Sequence, residues 1–421
     1  MYERTSLPDG PRVISARLPG TRSVAIAAHV LAGARHEAPD EIGVAHFLEH
    51  IAFKGTASYR DARAIAETIE GAGGSFNAAT DRESTVYWVR VPRSEAGRGF
   101  EVLGELVVRP TLDPAEIERE RTVIVEEIRS YLDDPVEHAH ILFARALFGD
   151  GPLGREICGD ETSVRGLPSP TIRGFWARAY RPGNVVVSVA GDIDHAIAVE
   201  LVAAAFGTGD GRPPLPAPAP ALPAGPPYLL AERDTTQAQL VVGVPALRRD
   251  HPDSWVLLVL NTILGDGMSS RLFLRVREEQ ALAYDIGSGV VDLADAGAIE
   301  ISAGVDPEDL EPALTSILTE LGRLRDEPVS PAELEKAKRY LGGGLELRMD
   351  DTRSVASWLG VQEALHERVL SIDEALAAIE AVTADDVARV ARQLFRDDAL
   401  RLAVVAPAGH GRDLDRLLRL P

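Results

Sequence analysis

The chain has 421 residues, with 65 Asp and Glu against 44 Lys and Arg, giving a formal net charge of −21 at pH 7. That length exceeds one typical core and suits two domains of roughly 200 residues each. Its 45% hydrophobic and 26% charged residues are those of an ordinary globular chain. The acidic balance argues against nucleic acid and anionic membrane surfaces as partners, and no apolar run reaches the ~20 residues that span a bilayer. The opening MYERTSLPDG has neither the basic n-region nor the apolar h-region of a secretory signal, so a cytoplasmic location is expected.

In chain order, SVAIAAHVLAG (23–33) alternates as a strand should, and GVAHFLEHIAF (43–53) has the apolar spacing of a helix. STVYWVRV (84–91) predicts another strand. PAEIERERTVIVEEIRSYL (114–132) predicts a long amphipathic helix, with Asp113 as its cap and Pro114 in its first turn. Cys158 is the only cysteine; it cannot form an internal disulfide, and REICGD offers no neighbour that marks a nucleophile, so it reads as a packing residue. From 208 to 227 the chain runs TGDGRPPLPAPAPALPAGPP, a composition that cannot build a core and predicts an extended linker.

After the linker the outline repeats. AQLVVGVPAL (238–247) alternates like the first strand, SWVLLVLNTIL (254–264) takes the place of the first helix, and GAIEISAGV (297–305) that of the later strand. PAELEKAKRYLGGGLEL (331–347) matches the long helix. The repetition is one of pattern and order, and it predicts a distant internal duplication. The expected architecture is α+β, two related domains, each a mostly antiparallel sheet with helices packed on one face. Residues 1–212 form the first domain, 213–227 the linker and 228–421 the second domain.

The first helix carries His46, Glu49 and His50, whereas SWVLLVLNTIL carries no histidine or glutamate. Positions i and i+4 share a helix face, which is the spacing two imidazoles need to share one tetrahedral metal. Glu49 flanks the pair without having to be a ligand, and a carboxylate there can accept a proton from water and hand it on. The same pattern also fits two satisfied histidines near a surface. A catalytic zinc takes a third protein ligand, and the helix over 114–132 offers candidates. Glu120 and Glu127, seven residues apart, lie nearly on one face with Ile117, Ile124 and Ile128, where a carboxylate needs a partner or a metal to offset its desolvation. Glu126 points roughly 120° away.

H-x-x-E-H is the inverted form of the H-E-x-x-H zinc motif. Together with GAGGSFNAATDRESTVYWVRV, ERTVIVEEIRSYLDDP and GMSSRLFLRVREEQALAYDIGS, in this order along the chain, it resembles the pitrilysin, or insulinase, family of zinc peptidases. The likeness is to the half-length bacterial branch related to mitochondrial processing peptidase, and it covers nearly the whole chain. It implies a zinc-dependent metalloendopeptidase acting on peptides or unfolded polypeptide inside a clamshell chamber. One zinc per chain would be held by His46, His50 and Glu127, with Glu49 as the base and Glu120 steadying the ligands. Asn77 and Ala78 would begin the edge strand that binds substrate, and Arg277 and Tyr284 would contact substrate and the scissile carbonyl. A homodimer is the implied assembly, with a heterodimer of related chains open. The alternative within the family is a non-catalytic scaffold or partner subunit.

Overall fold

The computed structural model describes residues 2–209, 225–366 and 368–421; the expected linker over 213–227 lies, through residue 224, outside the described residues. Among the described residues, eleven strands form two sheets. The first sheet contains β1 (Glu3–Ser6), β2 (Arg12–Arg17), β3 (Ser23–Val30), β4 (Ser75–Thr80), β5 (Thr85–Pro92) and β6 (Val185–Gly191), in the spatial order β1-β2-β6-β3-β5-β4. The second contains β7 (Tyr228–Glu232), β8 (Ala238–Pro245), β9 (Ala283–Asp292), β10 (Gly297–Val305) and β11 (Arg401–Ala406), in the order β7-β11-β8-β10-β9. β2 with β6 and β7 with β11 pair in parallel; every other pairing is antiparallel. Leaving aside β1, the first sheet from β2 to β6 and the second from β7 to β11 follow one rule. In each, the fifth strand lies between the first and second, and the third forms the edge beyond the fourth. The duplication suggested by the sequence pattern is thus present in the topology.

The strands and helices fall close to their sequence expectations. The first helix runs Val44–Ala52, its counterpart Ser254–Leu264, and the long acidic helix Pro114–Asp133. Asp113 does cap that helix, its Oδ1 accepting from the backbone N–H of Ala115 and of Glu116.

The two compact units are not the two halves of the chain. One comprises Met1–Ile128, Glu156–Ala219 and Leu347–Ser371; the other comprises Arg129–Arg155, Pro220–Glu346 and Ile372–Pro421. In the first unit the helix Ala96–Val108 covers one face of the sheet, Gly99 packing close to Ile26, Val89 and Val91. The helix Thr352–Leu365, contributed from beyond the second sheet's central strands, covers the other through Val355, Ala356 and Leu359 against Ile14, Ala25 and Val186. In the second unit, Pro135–Phe148 plays the matching part, setting Ala139, Phe143 and Leu147 on Val241, Ala403 and Val405. Each sheet therefore carries, in addition to its own layer of helices, one helix on its second face. This explains why β3 from Val24 to Val30 and all of β6 are buried rather than alternately exposed.

Candidate metal centre

The helix Val44–Ala52 is held by its surroundings at both ends. Gly43 precedes it at φ +89°, and a Cβ there would meet the carbonyl oxygen of Cys158 at 2.7 Å, so the close approach of the two segments requires glycine. The buried carboxylate of Glu37 accepts from the backbone N–H of Gly43 (2.9 Å) and Ala45 (2.8 Å), satisfying donors that the first helical turn leaves without partners. Nothing in the sequence marks Glu37, because it stands outside the usual capping spacing. Phe47, Leu48 and Ile51 anchor the buried face, and Tyr87 of β5 donates its hydroxyl to the Leu48 carbonyl oxygen.

This anchoring turns His46 and His50 side by side, with ring centroids 4.5 Å apart. The carboxylate of Glu127 lies between them: its Oε1 is 3.7 Å from His46 Nε2 and its Oε2 is 3.2 Å from His50 Nε2. The other ring nitrogen of His50, Nδ1, sits 2.9 Å from Glu120 Oε1, while Lys54 Nζ holds Glu120 Oε2 at 2.7 Å. Glu49 is fixed from the opposite strand, where the Thr80 hydroxyl donates to its Oε2 at 2.6 Å. Along the long helix, Ile117, Glu120, Ile124 and Ile128 are buried, Glu127 is half-buried and Glu126 is exposed. The apolar face thus delivers Glu120 and Glu127 to the histidines and leaves Glu126 outside.

The electrostatics follow from burial and the crowd of carboxylates. Burial lowers the His46 pKa to about 4, His50 adding to the effect and Glu127 opposing it. His50 feels the same burial, but its hydrogen bonds and charge attraction to Glu120 and Glu127 outweigh it and raise the group to about 9. Glu49 is raised, chiefly by burial, against the pull of the Thr80 hydrogen bond and of His50. Glu120 is lowered: burial works against it, and the bonds to His50 and Lys54 prevail. A site that so favours a proton on His50 is one that favours positive charge.

The donor set suits zinc. Two imidazole nitrogens and a carboxylate are its common catalytic ligands, and tetrahedral bonds of about 2.0–2.1 Å set such donors about 3.3–3.4 Å apart. The 3.2 Å from His50 Nε2 to Glu127 Oε2 and the 3.7 Å from His46 Nε2 to Oε1 are near that spacing, each histidine meeting a different oxygen of the carboxylate. His46 is 7% exposed, and its Nε2, the nitrogen turned to Glu127, lies 3.7 Å from Oε1, beyond hydrogen-bond distance and so left open to a ligand role. The sulfur of Cys158 joins this neighbourhood. His46, Glu127 and Cys158 bring one donor atom each within 4.8 Å of one another, a placement that a non-local loop creates and that the sequence does not announce.

Asn77 and Ala78 lie in β4, at the edge of the first sheet, where β4 pairs with β5 alone among the described residues. Asn77 is exposed and Ala78 nearly buried. The same strand carries Thr80, so the edge leads directly to Glu49. In the second unit, Arg277 stands in the π-helix Phe273–Glu279, its guanidinium 4.7 Å from the Phe273 ring centroid and 5.6 Å from that of Tyr284. Tyr284, in β9, is 76% exposed, so it is a presented aromatic rather than a core one. No helix among the described residues is long and apolar enough to cross a membrane.

The family model described as Insulinase (Peptidase family M16) matches residues 12–161, and that described as Peptidase M16 inactive domain matches residues 169–341. The second description agrees with the helix Ser254–Leu264, which has apolar side chains where its counterpart has His46, Glu49 and His50. The chain is 36% identical to an uncharacterized zinc protease of Streptomyces coelicolor, covering 93% of this chain and 87% of that one. It is 34% identical to the uncharacterized zinc protease YmxG of Bacillus subtilis, covering 97% and 99%. A protease from Helicobacter pylori shares the fold with a TM-score of 0.89 at 22% identity, over 97% of this chain and 100% of that one. With relatives this similar over nearly their whole length, the chain belongs to the insulinase family of zinc proteases, peptidase family M16.

Proposed function

We propose that this protein is a zinc-dependent metalloendopeptidase that hydrolyses peptides or unstructured polypeptide segments, with one zinc per chain held by His46, His50 and Glu127. The observation that carries this reading is the Glu127 carboxylate set between the Nε2 atoms of His46 and His50, with Glu49 beside them and pinned by Thr80. Zinc in that donor set would supply a Lewis acid that polarises the scissile carbonyl and acidifies water.

The protein's own groups do the rest. The Nδ1–H of His50 donates to Glu120, which fixes the tautomer and aims the Nε2 lone pair at the centre. Glu49 takes the proton of the attacking water and returns it to the leaving amine nitrogen. Thr80 holds Oε2, so the exchange takes place at Oε1. The open edge of β4 accepts an extended peptide as an added strand, a mode that pairs backbones and so tolerates varied sequences. Arg277 and Tyr284 serve as donors to the substrate and its developing oxyanion.

The test is metal counting followed by cleavage of a quenched peptide. The expected result is about one zinc per chain, activity abolished by a chelator, and activity restored by zinc. Full peptidase activity in protein shown to be metal-free would overturn the reading.

A further inference from the structure

We infer that Cys158 is a fourth, soft donor at this centre, able to close it by taking the position that hydrolysis keeps for water. The inference rests on the metal-centre reading above and adds a resting state to it.

Four observations point the same way. Cys158 is the only cysteine of the chain, a free thiol, and 4% exposed, so its sulfur faces the interior rather than solvent. Its sulfur, a nitrogen of His46 and an oxygen of Glu127 lie mutually within 4.8 Å. His46 is more than nine-tenths buried, and its Nε2 lies 3.7 Å from Glu127 Oε1, beyond hydrogen-bond distance. The loop that carries Cys158 is seated against the start of the zinc helix at Gly43, where no side chain would fit, so the thiol's position is built in rather than incidental.

The chemistry explains why a thiol here matters. Zinc binds thiolate readily, with a Zn–S bond of about 2.3 Å, and a centre with four protein ligands is of the closed kind that leaves no place for water. Tetrahedral S and N donors stand about 3.5 Å apart, so an approach of about 1 Å from the observed limit brings Cys158 into the shell. In that step the S–H bond breaks, a metal–sulfur bond forms, and the proton leaves to solvent with the water displaced. A thiol that coordinates a divalent ion is deprotonated outright. His46 and Glu127 are then shared by two arrangements: an open one completed by His50, and a closed one in which Cys158 is added.

The full chain, stripped of metal and loaded with cobalt(II), provides the test, read by absorption spectroscopy. A near-ultraviolet thiolate-to-cobalt charge-transfer band is expected, and with one cysteine in the chain it has one possible origin. Cys158→Ser should bind the same amount of cobalt, keep the visible d–d bands and lose the charge-transfer band. Cobalt bound with no such band in the wild-type protein overturns the role of Cys158 and leaves the peptidase reading standing. Failure to bind cobalt or zinc at all overturns both. The wild-type measurement is sufficient alone if the serine variant does not fold.

Discussion

Glu49 and Glu127 are the same functional group beside the same two imidazoles, yet their surroundings give them different work. Glu127 faces Nε2 of both histidines, while Glu49 is bonded to Thr80 and held at a raised pKa by burial. Glu49→Gln keeps shape and both imidazoles, so zinc content should stay near one per chain while turnover falls about 10²–10⁴-fold, the usual worth of a general base. Glu127→Gln should instead lower zinc content under dialysis; the reverse pattern would refute the assignment of roles. Glu120 touches the centre only through His50 Nδ1, so Glu120→Gln should weaken metal affinity about 10–100-fold, read by competition with a chelating dye. Glu126→Gln, on the exposed side of the helix, should change neither quantity. How legible these residues are depends on how local their cause is. The i, i+4 histidines and the choice of the apolar helix face are properties of single segments and can be read from the chain. Glu37, which caps the helix Val44–Ala52, and Cys158, which lies beside His46 and Glu127, arrive from other segments, and no spacing rule contains them.

The exchanged helix shows the same limit among elements. Sequence patterning correctly places the strand β3, the helix Pro114–Asp133 and the counterpart pair Val44–Ala52 and Ser254–Leu264. An amphipathic stripe, however, says only that a helix is buried, not which sheet buries it, and so the assignment of Thr352–Leu365 to the first sheet is not legible. That contact is tight at one point: a Cβ on Gly360 would lie 2.2 Å from His29 Nε2 and 2.5 Å from Ser188 Oγ, both held in central strands. Gly360→Ala gains up to about 1 kcal/mol of helix propensity, but overpacking of this kind costs about 1–3 kcal/mol. The clash should win, lowering the midpoint of denaturant unfolding. His29 itself is buried in β3, its Nε2 without a hydrogen-bond partner among the described residues, and burial lowers its pKa from 6.5 to about 4. The unfolded chain therefore binds more protons between those values, and the folded state loses stability as pH falls from 6.5 through 4. The loss attributable to this residue is about 3 kcal/mol in full. His29→Leu should flatten the dependence of stability on pH across that window, measured by urea unfolding at stepped pH; an unchanged slope would place the acid sensitivity elsewhere.

At the scale of the whole molecule, two copies of one five-strand plan have diverged into different duties. The first copy bears His46, Glu49 and His50 on its helix; the second has an apolar helix there and instead presents Arg277 stacked with the exposed Tyr284. In the hydrolytic centre proposed above, one set would supply the base and ligands and the other would supply donors to the oxyanion. The family resemblance, which implies a homodimer and a clamshell chamber, leads us to propose that each centre combines the helix Val44–Ala52 of one protomer with Arg277 and Tyr284 of the other. Such sharing has a testable arithmetic. Glu49→Gln protein should be nearly inactive, and Tyr284→Phe, which loses an oxyanion donor, should be weakened by about 10²–10³-fold. In the mixed dimer one centre carries both defects and the other carries neither. Combining the two inactive proteins under conditions of subunit exchange should therefore restore up to about half of the wild-type activity per heterodimer. The readout is peptide cleavage against time, with exchange followed independently by native mass spectrometry. Exchange without recovery, or full activity in a demonstrated monomer, would mean that the two sets of residues do not meet between chains.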